Sequence, residues 1–317
     1  MWTGEILEHE DGTRLLVSIV IRVRNAEKDL QHCLETLSNQ ILPESVVLEF
    51  VVVDNASTDR SSQVAMDYSA RLVSISREDF TWGRALNRGI AQSRGEFIVL
   101  ISADVEPLGG DWMSRMLGSI LRPEVVAVYG RQIPRANAPI DEAARLNANF
   151  PPVEQLIAIT LPQRSPNGNL RFLSNACALI RRSAWANVKF DEGSNGAEEQ
   201  AWMEELIRHG YTYAYEATAM AYHSHRDSYG RTGYRAWELH REMLNRQGKT
   251  PAFGNVFYAI AALCKRRLKN VLYVNASMRS RVEGIFSLPF EITAFSTAAV
   301  LEGLGADRRA VRNWMWG

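Results

Sequence analysis

One short acidic motif, Ser102-Ala103-Asp104, could bind a metal ion that contacts phosphate groups. It follows Phe97–Ile101, an apolar run with the length of a strand that is buried on both faces. In open α/β sheets, ligands bind beyond the carboxyl ends of the strands. A carboxylate placed there can bind Mg²⁺ or Mn²⁺, which bridges the phosphates of a nucleotide. The structural alternative is that Asp104 caps a turn or the helix that begins near Trp112.

Glu198 and Glu199 form a second acidic motif, at the start of an amphipathic helical pattern and after the glycine-containing segment 193–197. Acidic side chains in the first turn of a helix are stabilised by the helix dipole, which is a sufficient structural explanation. A carboxylate that follows a flexible segment could also act as a general base on a hydroxyl within hydrogen-bonding distance. The pattern therefore favours either a helix start or a catalytic base.

Two histidines, His223 and His225, end a strand-like segment and are two residues apart, so they point to the same side. Neutral imidazole is a common metal ligand. Together with Asp104, these histidines would supply the protein ligands that a single carboxylate lacks. Hydrated histidines at a strand end are the alternative.

Three further polar residues are placed where a ligand could bind. Arg84 and Asn87 lie one helical turn apart on a shared face. A guanidinium beside an amide suits a pyrophosphate or the edge of a base, and an exposed polar helix face is the alternative. Asn175 is embedded in the apolar segment 170–180, where it predicts either a side chain that faces a ligand or a bulge in a buried strand.

The apolar pattern predicts the elements that position these residues. Predicted strands cover 15–21, 46–53, 71–75, 97–101 and 125–129, and predicted helices cover 26–40, 61–69, 80–89 and 112–121. This alternation is typical of a parallel, doubly wound sheet with right-handed crossovers. We also expect a strand over 170–180, a helix over 181–188, and two short strands over 211–216 and 218–222. Residues 136–166 predict a loop-rich insertion with a short helix and no clear strand, lining a ligand cleft.

Polar residues follow the first two predicted strands. Arg22 and Asn25 come after the first strand, and Asp54 and Asn55 come after the second. A nucleotide-binding cleft requires polar side chains at this edge of the sheet. Residues 54–57 are also a suitable helix N-cap with turn residues, which is the structural alternative.

The chain changes character near residue 230, which predicts a domain over 1–230 and a helical region over 231–317. We expect helices over 234–245, 256–272 and 286–304, with a basic cluster over 265–269. These helices carry more apolar surface than one small layer can bury. They could pack on the first domain, form a homodimer, or make a peripheral contact with an anionic membrane surface.

Composition restricts the class of protein. The 317 residues carry a formal net charge of zero, which does not favour a nucleic-acid partner. The three cysteines, Cys33, Cys177 and Cys264, lack metal or redox spacing and predict buried, reduced thiols. Because we find neither a signal-peptide core nor an uncharged apolar run of membrane-spanning length, we expect a soluble, cytoplasmic protein.

Four ordered motifs resemble those of family-2 inverting glycosyltransferases, which have the A-type nucleotide-diphospho-sugar transferase fold. The motifs are residues 17–25 (VSIVIRVRN), 52–59 (VVDNASTD), 102–104 (SAD) and 197–199 (AEE). Three further segments, 82–89 (WGRALNRG), 129–134 (YGRQIP) and 222–225 (YHSH), are similar to bacterial rhamnosyltransferase-type members that build surface polysaccharide. The resemblance covers about residues 15–230.

The resemblance implies a role for each candidate residue. The nucleotide-sugar donor would be contacted by Arg22, Asn25, Asp54, Asn55, Arg84, Asn87, Ser102 and Ala103. A Mn²⁺ or Mg²⁺ ion would be bound by Asp104 with His223 or His225, and the acceptor or sugar would contact Arg131, Gln132, Asn175 and Trp202. Glu199 takes the place of the catalytic base, with Glu198 as its possible substitute. A dTDP-, UDP- or GDP-sugar would be the donor, and a saccharide or lipid-linked saccharide the acceptor.

Three positions depart from the family pattern. Ser102 stands where the first acid of the metal motif is expected, Glu199 is one methylene longer than the usual base, and Arg22 replaces a common proline. These departures motivate a second hypothesis, a catalytically idle sugar-binding or scaffold member of a polysaccharide assembly complex. A nucleotidylyltransferase would need a glycine-rich basic loop near the N-terminus, and residues 22–25 do not supply it.

Overall fold

The structure is a computed structural model of the chain. It describes residues 14–153, 157–159, 174–193, 198–225, 232–234, 237, 241, 253–273, 278–304, 306–307 and 310–311. Several predictions concern residues outside these ranges: the first part of the strand expected at 170–180, segment 194–197, the domain boundary at 230, and most of the helix expected at 234–245.

The first part of the chain alternates strands and helices, as its apolar pattern predicts. It contains β1 (Leu15–Val23), α1 (Glu27–Ser38), β2 (Val46–Asp54), α2 (Ser61–Asp67), β3 (Arg71–Ser74), α3 (Trp82–Gln92) and β4 (Phe97–Ser102). Strands β1, β2, β3 and β4 pair in parallel in the order β3-β2-β1-β4. The apolar runs are buried on both faces of this sheet, which explains why they lack an alternating pattern.

The following part adds strands to the same sheet. It contains β5 (Glu106–Pro107), α4 (Trp112–Ile120), β6 (Val125–Ile133), α5 (Ile140–Asn149), β7 (Ile157–Ile159), β8 (Cys177–Arg181), α6 (Arg182–Asn187), α7 (Glu198–Arg208) and β9 (Thr212–Tyr222). Strand β8 lies between β4 and β6 and is antiparallel to both. The described sheet therefore has a parallel half and a mixed half. The predicted α/β fold with a helical C-terminal extension is confirmed.

Two local predictions need correction. The segment expected to lack a strand contains β7, which pairs antiparallel with β9; three residues are too few to give a periodic pattern. The two short strands expected over 211–222 are the single strand β9, whose register against β6 shifts between Gly130 and Arg131. A β-bulge of this kind interrupts the sequence alternation without ending the strand.

Contacts divide the described chain into two compact units. The first comprises residues 1–133 and 146–223, and the second comprises 134–145 and 224–317. The first unit has apolar clusters on both faces of its sheet. The second contains α8 (Phe253–Tyr273) and α9 (Met278–Gly303), with a small core around Trp237 and Phe295, whose rings meet edge to face 5.5 Å apart.

The cysteines are free, as predicted. Cys33 and Cys177 are buried, and Cys264 is half-buried. Burial raises the pKa of the Cys177 thiol to about 12, so this residue remains a neutral thiol at physiological pH. Cys33 and Cys177 therefore contribute to the core of the first unit.

Candidate active site

The carboxyl ends of three parallel strands bring the predicted polar residues to one edge of the sheet. Arg22 on β1 is in register with Val53 on β2 and with Ser102 on β4. Asp54 and Asp104, which follow these positions, consequently lie beyond the same edge. This edge is where an α/β sheet binds its ligand.

Arg22 connects this edge to the helix that carries the acidic pair. Its Nη1 lies 3.5 Å from Oε1 of Glu198, and its Nη2 donates a 3.5 Å hydrogen bond to Oγ of Ser102. The guanidinium also stacks over the ring of Trp82, 4.8 Å from the ring centre. The arginine and glutamate side chains are 9% and 4% exposed, so solvent screens their attraction little. The structure thus brings the start of α7 to the end of β4, two residues before Asp104.

Glu199 has a strongly altered affinity for protons. Burial raises the pKa of its carboxyl group to about 8, and the negative charge of Glu198 adds to this effect. The positive charge of Arg22 lowers the same pKa. A carboxyl group with a pKa near 8 holds a proton more strongly than an ordinary glutamate and is well matched to general acid–base catalysis near neutral pH. Perturbed carboxyl groups of this kind are concentrated at functional sites.

Asp104 and His223 form the centre of the predicted metal site. Oδ2 of Asp104 lies 3.8 Å from Nε2 of His223, and Nδ1 of His223 lies 2.6 Å from Oε1 of Gln132. Because an amide oxygen only accepts, Nδ1 donates to it, and Nε2 is the ring nitrogen on the side of Asp104. The candidate ligand atoms of Asp104, His223 and His225 lie within 4.8 Å of one another. A carboxylate with imidazole nitrogens fits a divalent cation such as Mn²⁺, whereas Mg²⁺ prefers oxygen ligands.

The turn after β2 is organised by polar side chains. Asp54 is buried and accepts a 3.3 Å hydrogen bond from the amide of Ser57. Asn25 accepts a 2.7 Å hydrogen bond from the amide of Thr58, which joins the turns after β1 and β2. Asn55 is also buried, and its Oδ1 accepts no hydrogen bond from the described residues. The nucleotide contacts of Asn25, Asp54 and Asn55 stay predictions.

Arg84 and Asn87 hold the segment that leads to α7. The Nδ2 of Asn87 donates to the carbonyl of Phe190 at 2.9 Å and to Glu192 at 3.0 Å, while its Oδ1 accepts from Trp185 at 2.9 Å. Arg84 donates to the second carboxylate oxygen of Glu192 at 3.2 Å. These bonds occupy both side chains within the protein. The predicted contact of Arg84 and Asn87 with the diphosphate stays a prediction.

Helix α3 approaches this segment closely. A Cβ atom added at Gly83 would lie 2.1 Å from the carbonyl oxygen of Asp191, which is closer than atoms can approach. Glycine is therefore required at position 83 for α3 to pack against the segment before the acidic pair.

The residues predicted to contact the acceptor lie in different surroundings. Arg131 is half-buried and donates to the carbonyl of Phe150 at 3.3 Å. Trp202 is 2% exposed and donates to the carbonyl of Val188 at 2.6 Å, within the core. Asn175 is 2% exposed, and neither of its amide atoms has a partner among the described residues. The acceptor contacts of all three residues stay predictions.

Two further contributors were missed at the level of sequence. Glu192 fixes Arg84 and Asn87, and Trp82 supports the guanidinium of Arg22. The partner of Arg22 is 176 residues away in the chain. No local pattern in the sequence indicates such a contact. The helical pattern over 80–89 predicts only that Trp82 lies near the start of a helix.

Comparison with known proteins places this chain in a family. Residues 18–188, more than half of the chain, match the model of the family described as Glycosyl transferase family 2. The O-antigen chain rhamnosyltransferase WbaN of Salmonella anatum is 29% identical over 180 residues, which is 56% of this chain and 56% of WbaN. The O-antigen chain rhamnosyltransferase RfbN of Salmonella typhimurium is 26% identical over 214 residues, 66% of each chain. The alignments therefore span about half to two thirds of these curated relatives.

Solved structures share the fold at low sequence identity. A mannosyltransferase from Pyrobaculum calidifontis in complex with GDP-Man and Mn²⁺ has a TM-score of 0.55 at 18% identity, covering 95% of this chain and 83% of that one. Staphylococcus aureus TarS 1–349 in complex with UDP-GlcNAc has a TM-score of 0.56 at 16% identity, covering 92% and 93%. These similarities concern the fold alone.

Proposed function

Because this chain belongs to glycosyl transferase family 2, we propose that it is an inverting glycosyltransferase of the bacterial cytoplasm. It transfers a sugar from a nucleoside-diphosphate donor to a hydroxyl group of a saccharide or lipid-linked saccharide. The names of its two O-antigen rhamnosyltransferase relatives support rhamnosyl transfer in surface polysaccharide assembly. A dTDP-sugar is then the first donor to test, with UDP- and GDP-sugars as alternatives.

The position of Arg22 is the observation that carries this proposal. Its guanidinium contacts Glu198 on one side and Ser102 on the other, so the acidic pair of α7 faces the strand end that carries Asp104. A transferase needs a base for the acceptor and a site for the leaving diphosphate in one cavity. The structure supports both at the same sheet edge.

Glu199 is the proposed general base. Its carboxylate accepts the proton of the acceptor hydroxyl while that oxygen bonds to the anomeric carbon. The bond between the anomeric carbon and the diphosphate oxygen breaks on the opposite side, and the nucleoside diphosphate leaves with the electron pair. One displacement of this kind inverts the anomeric configuration. The charge of Glu198 raises the pKa of Glu199, and the charge of Arg22 lowers it.

Asp104 and His223, with His225, are the proposed ligands of a divalent cation. Gln132 holds the imidazole of His223 with Nε2 on the side of Asp104. A bound Mn²⁺ or Mg²⁺ would neutralise negative charge on the departing diphosphate. Ser102 has no carboxylate to offer a cation. Its hydroxyl instead accepts a hydrogen bond from Arg22, whose positive charge lies beside the same strand end.

Ser102 also motivates a second candidate function, that of a sugar-binding scaffold without turnover. A scaffold would bind nucleotide-sugar or saccharide but would not consume donor. Measured transfer or donor hydrolysis that is abolished by a chelator and restored by Mn²⁺ would exclude it.

The proposed function is tested first by donor binding. dTDP-rhamnose, UDP-N-acetylglucosamine and GDP-mannose are each added with and without MnCl₂, and thermal unfolding is recorded. A donor present at 100 times its Kd should stabilise the fold by about 2.7 kcal/mol. Stabilisation by none of these sugars under any condition would contradict the proposal.

Turnover then tests the base. Glu199→Gln should lower turnover at least about 100-fold while donor binding is retained, since general bases contribute about 10² to 10⁴. Glu204→Gln is the matched control, because Glu204 lies exposed on the same helix. Unchanged turnover in Glu199→Gln would assign the base to Glu198 or to another residue.

A further inference from the structure

Helix α9 is apolar on two opposite faces. One face is buried and includes Ala294, Phe295 and Ala298. The opposite face is exposed to solvent; its large apolar side chains and their exposed fractions are Met278 (75%), Val282 (45%), Ile285 (56%), Phe286 (71%) and Phe290 (62%). Their spacing of three and four residues places them on one side of the helix.

Buried charges fix which face of α9 points outward. Arg267 on α8 donates to Glu291 at 2.5 Å and to Ser287 at 2.9 Å. It also donates to Asp141 at 2.8 Å. Rotating α9 to bury its exposed apolar residues would bring Glu291 out of this cluster and leave Arg267 without one of its two carboxylates. The exposed apolar face is therefore a fixed feature of the second unit.

Helix α8, which Arg281 joins to α9, also exposes apolar and positively charged side chains. Leu268 and Leu272 are 62% and 57% exposed, and Lys265 and Lys269 are exposed on the same side of α8. Arg281 donates to the carbonyl oxygens of Val271 and Leu272, which holds the start of α9 against the end of α8. We call Leu268, Leu272, Val282, Ile285 and Phe286, with Lys265 and Lys269, the apolar–basic face.

The same helix could be mistaken for a membrane span. Residues Arg281–Glu302 are long and apolar enough to cross a membrane by length and composition, and 39% of their most apolar window is buried within the protein. Glu291 lies in the middle of this stretch and forms an ion pair with Arg267. Glu302 lies at its end and forms an ion pair with Arg241 at 2.7 Å. Crossing a bilayer would place the pair of Glu291 and Arg267 in hydrocarbon. A helix held by buried charges on one face is suited to lie along a membrane surface.

We propose that the apolar–basic face is the surface by which this protein contacts an anionic lipid bilayer. The leucine, isoleucine, valine and phenylalanine side chains enter the boundary between headgroups and acyl chains, and the two lysines attract the lipid phosphates. This inference concerns the second unit and does not depend on the proposed transferase activity.

Vesicle flotation of the full chain tests the proposal. The vesicles contain either pure phosphatidylcholine or phosphatidylcholine with roughly 30% phosphatidylglycerol, an anionic lipid that gives the surface a negative potential. We expect binding to the anionic vesicles that falls at high salt. Ile285→Ser with Phe286→Ser should lower binding to them at least about tenfold, because the buried apolar area is lost. Lys265→Glu with Lys269→Glu should remove the preference for anionic over neutral vesicles.

Matched variants and a second measurement keep the test decisive. Ile41→Ser removes a side chain that is 75% exposed in the first unit, and Arg71→Glu with Arg77→Glu reverses two exposed charges there. Both controls should bind vesicles like the wild type. All variants should keep the wild-type Tm, because the altered side chains are exposed. Equal binding by wild type and Ile285→Ser/Phe286→Ser would overturn the proposal. So would light scattering that shows the same variant converting a dimer to a monomer with vesicle binding unchanged.

Discussion

The guanidinium of Arg22 lies 3.5 Å from the carboxylate of Glu198, and both side chains are nearly inaccessible to solvent. The two residues come from β1 and from the first turn of α7. A buried ion pair is seldom a large net source of stability, but removing one partner leaves an uncompensated charge. Here the pair also sets the electrostatic surroundings of Glu199. Arg22 is consequently the residue whose replacement should affect both folding and the proposed catalysis.

Replacing Arg22 with methionine should destabilise the protein and alter its pH profile. The loss of the positive charge leaves Glu198 buried and unpaired, at a cost on the order of 3 kcal/mol. It also removes the interaction that lowers the pKa of Glu199, so the rise of kcat/KM with pH should move to higher pH. Urea unfolding and a pH–rate profile measure the two effects. Arg22→Lys retains the charge and should retain most of both properties; an unchanged pH profile in Arg22→Met would argue against the coupling.

Activity should depend on an ionisation near pH 8. Glu199 must lose its proton to act as a base, and its pKa is raised to about 8. We therefore expect kcat/KM to rise as pH increases through about 8, and Glu199→Gln to lose this dependence along with its activity. The measurement spans roughly pH 6 to pH 9, about two units below and one unit above the pKa of Glu199. A kcat/KM that stays constant over this range would contradict the assignment.

The same ionisation should appear in stability. The folded-state pKa of Glu199 lies above its ordinary value of 4.5, so the folded protein binds this proton more tightly than the unfolded chain does. The resulting stabilisation is fully present below about pH 4.5 and is lost as pH rises through about 8. Glu199→Gln resembles the protonated group at every pH, so its stability relative to wild type should increase between these values. Urea unfolding at several pH values checks the sign.

Gln132 should increase the affinity for the metal ion through its hydrogen bond to His223, without binding the ion itself. Its Oε1 orients His223 through Nδ1, and such partners typically change metal affinity about 10- to 100-fold. Gln132→Leu should therefore weaken Mn²⁺ binding by roughly this factor, and His223→Ala or Asp104→Asn by more. Electron paramagnetic resonance of free Mn²⁺ measures binding directly. His209→Ala removes an exposed histidine on the turn after α7 and should bind Mn²⁺ like the wild type.

Asn87 should separate a positioning role from a donor contact. Its amide bonds to Phe190, Trp185 and Glu192, so Asn87→Ala should lower the free energy of unfolding by about 1–3 kcal/mol. Because this segment leads to α7, kcat should fall as well. Gln92→Ala, at an exposed position of the same helix, is the control. An increase in the KM for the donor with no loss of stability would instead support the predicted diphosphate contact.

The local elements of this protein follow from its sequence. The apolar runs of β1, β2 and β4 and the periodicity of α1 and α3 record which faces are buried, since burial and helical spacing are properties of neighbouring residues. The positions of Asp104 after β4 and of Glu198 and Glu199 at the start of α7 follow from the same pattern. The family resemblance is also a property of the sequence, because it depends on motifs in a fixed order.

The way these elements combine depends on contacts between residues far apart in the chain. The contact of Arg22 with Glu198 joins residues 176 apart, and that of Gln132 with His223 joins residues 91 apart. Strand β8 could not be placed as an antiparallel strand between β4 and β6, because a fully buried strand has the same apolar pattern in either direction. The raised pKa of Glu199 arises from burial and from the charge of Glu198, which exist only once the chain has packed. Long-range packing and electrostatics therefore set the chemistry of a site whose residues the local pattern had already identified.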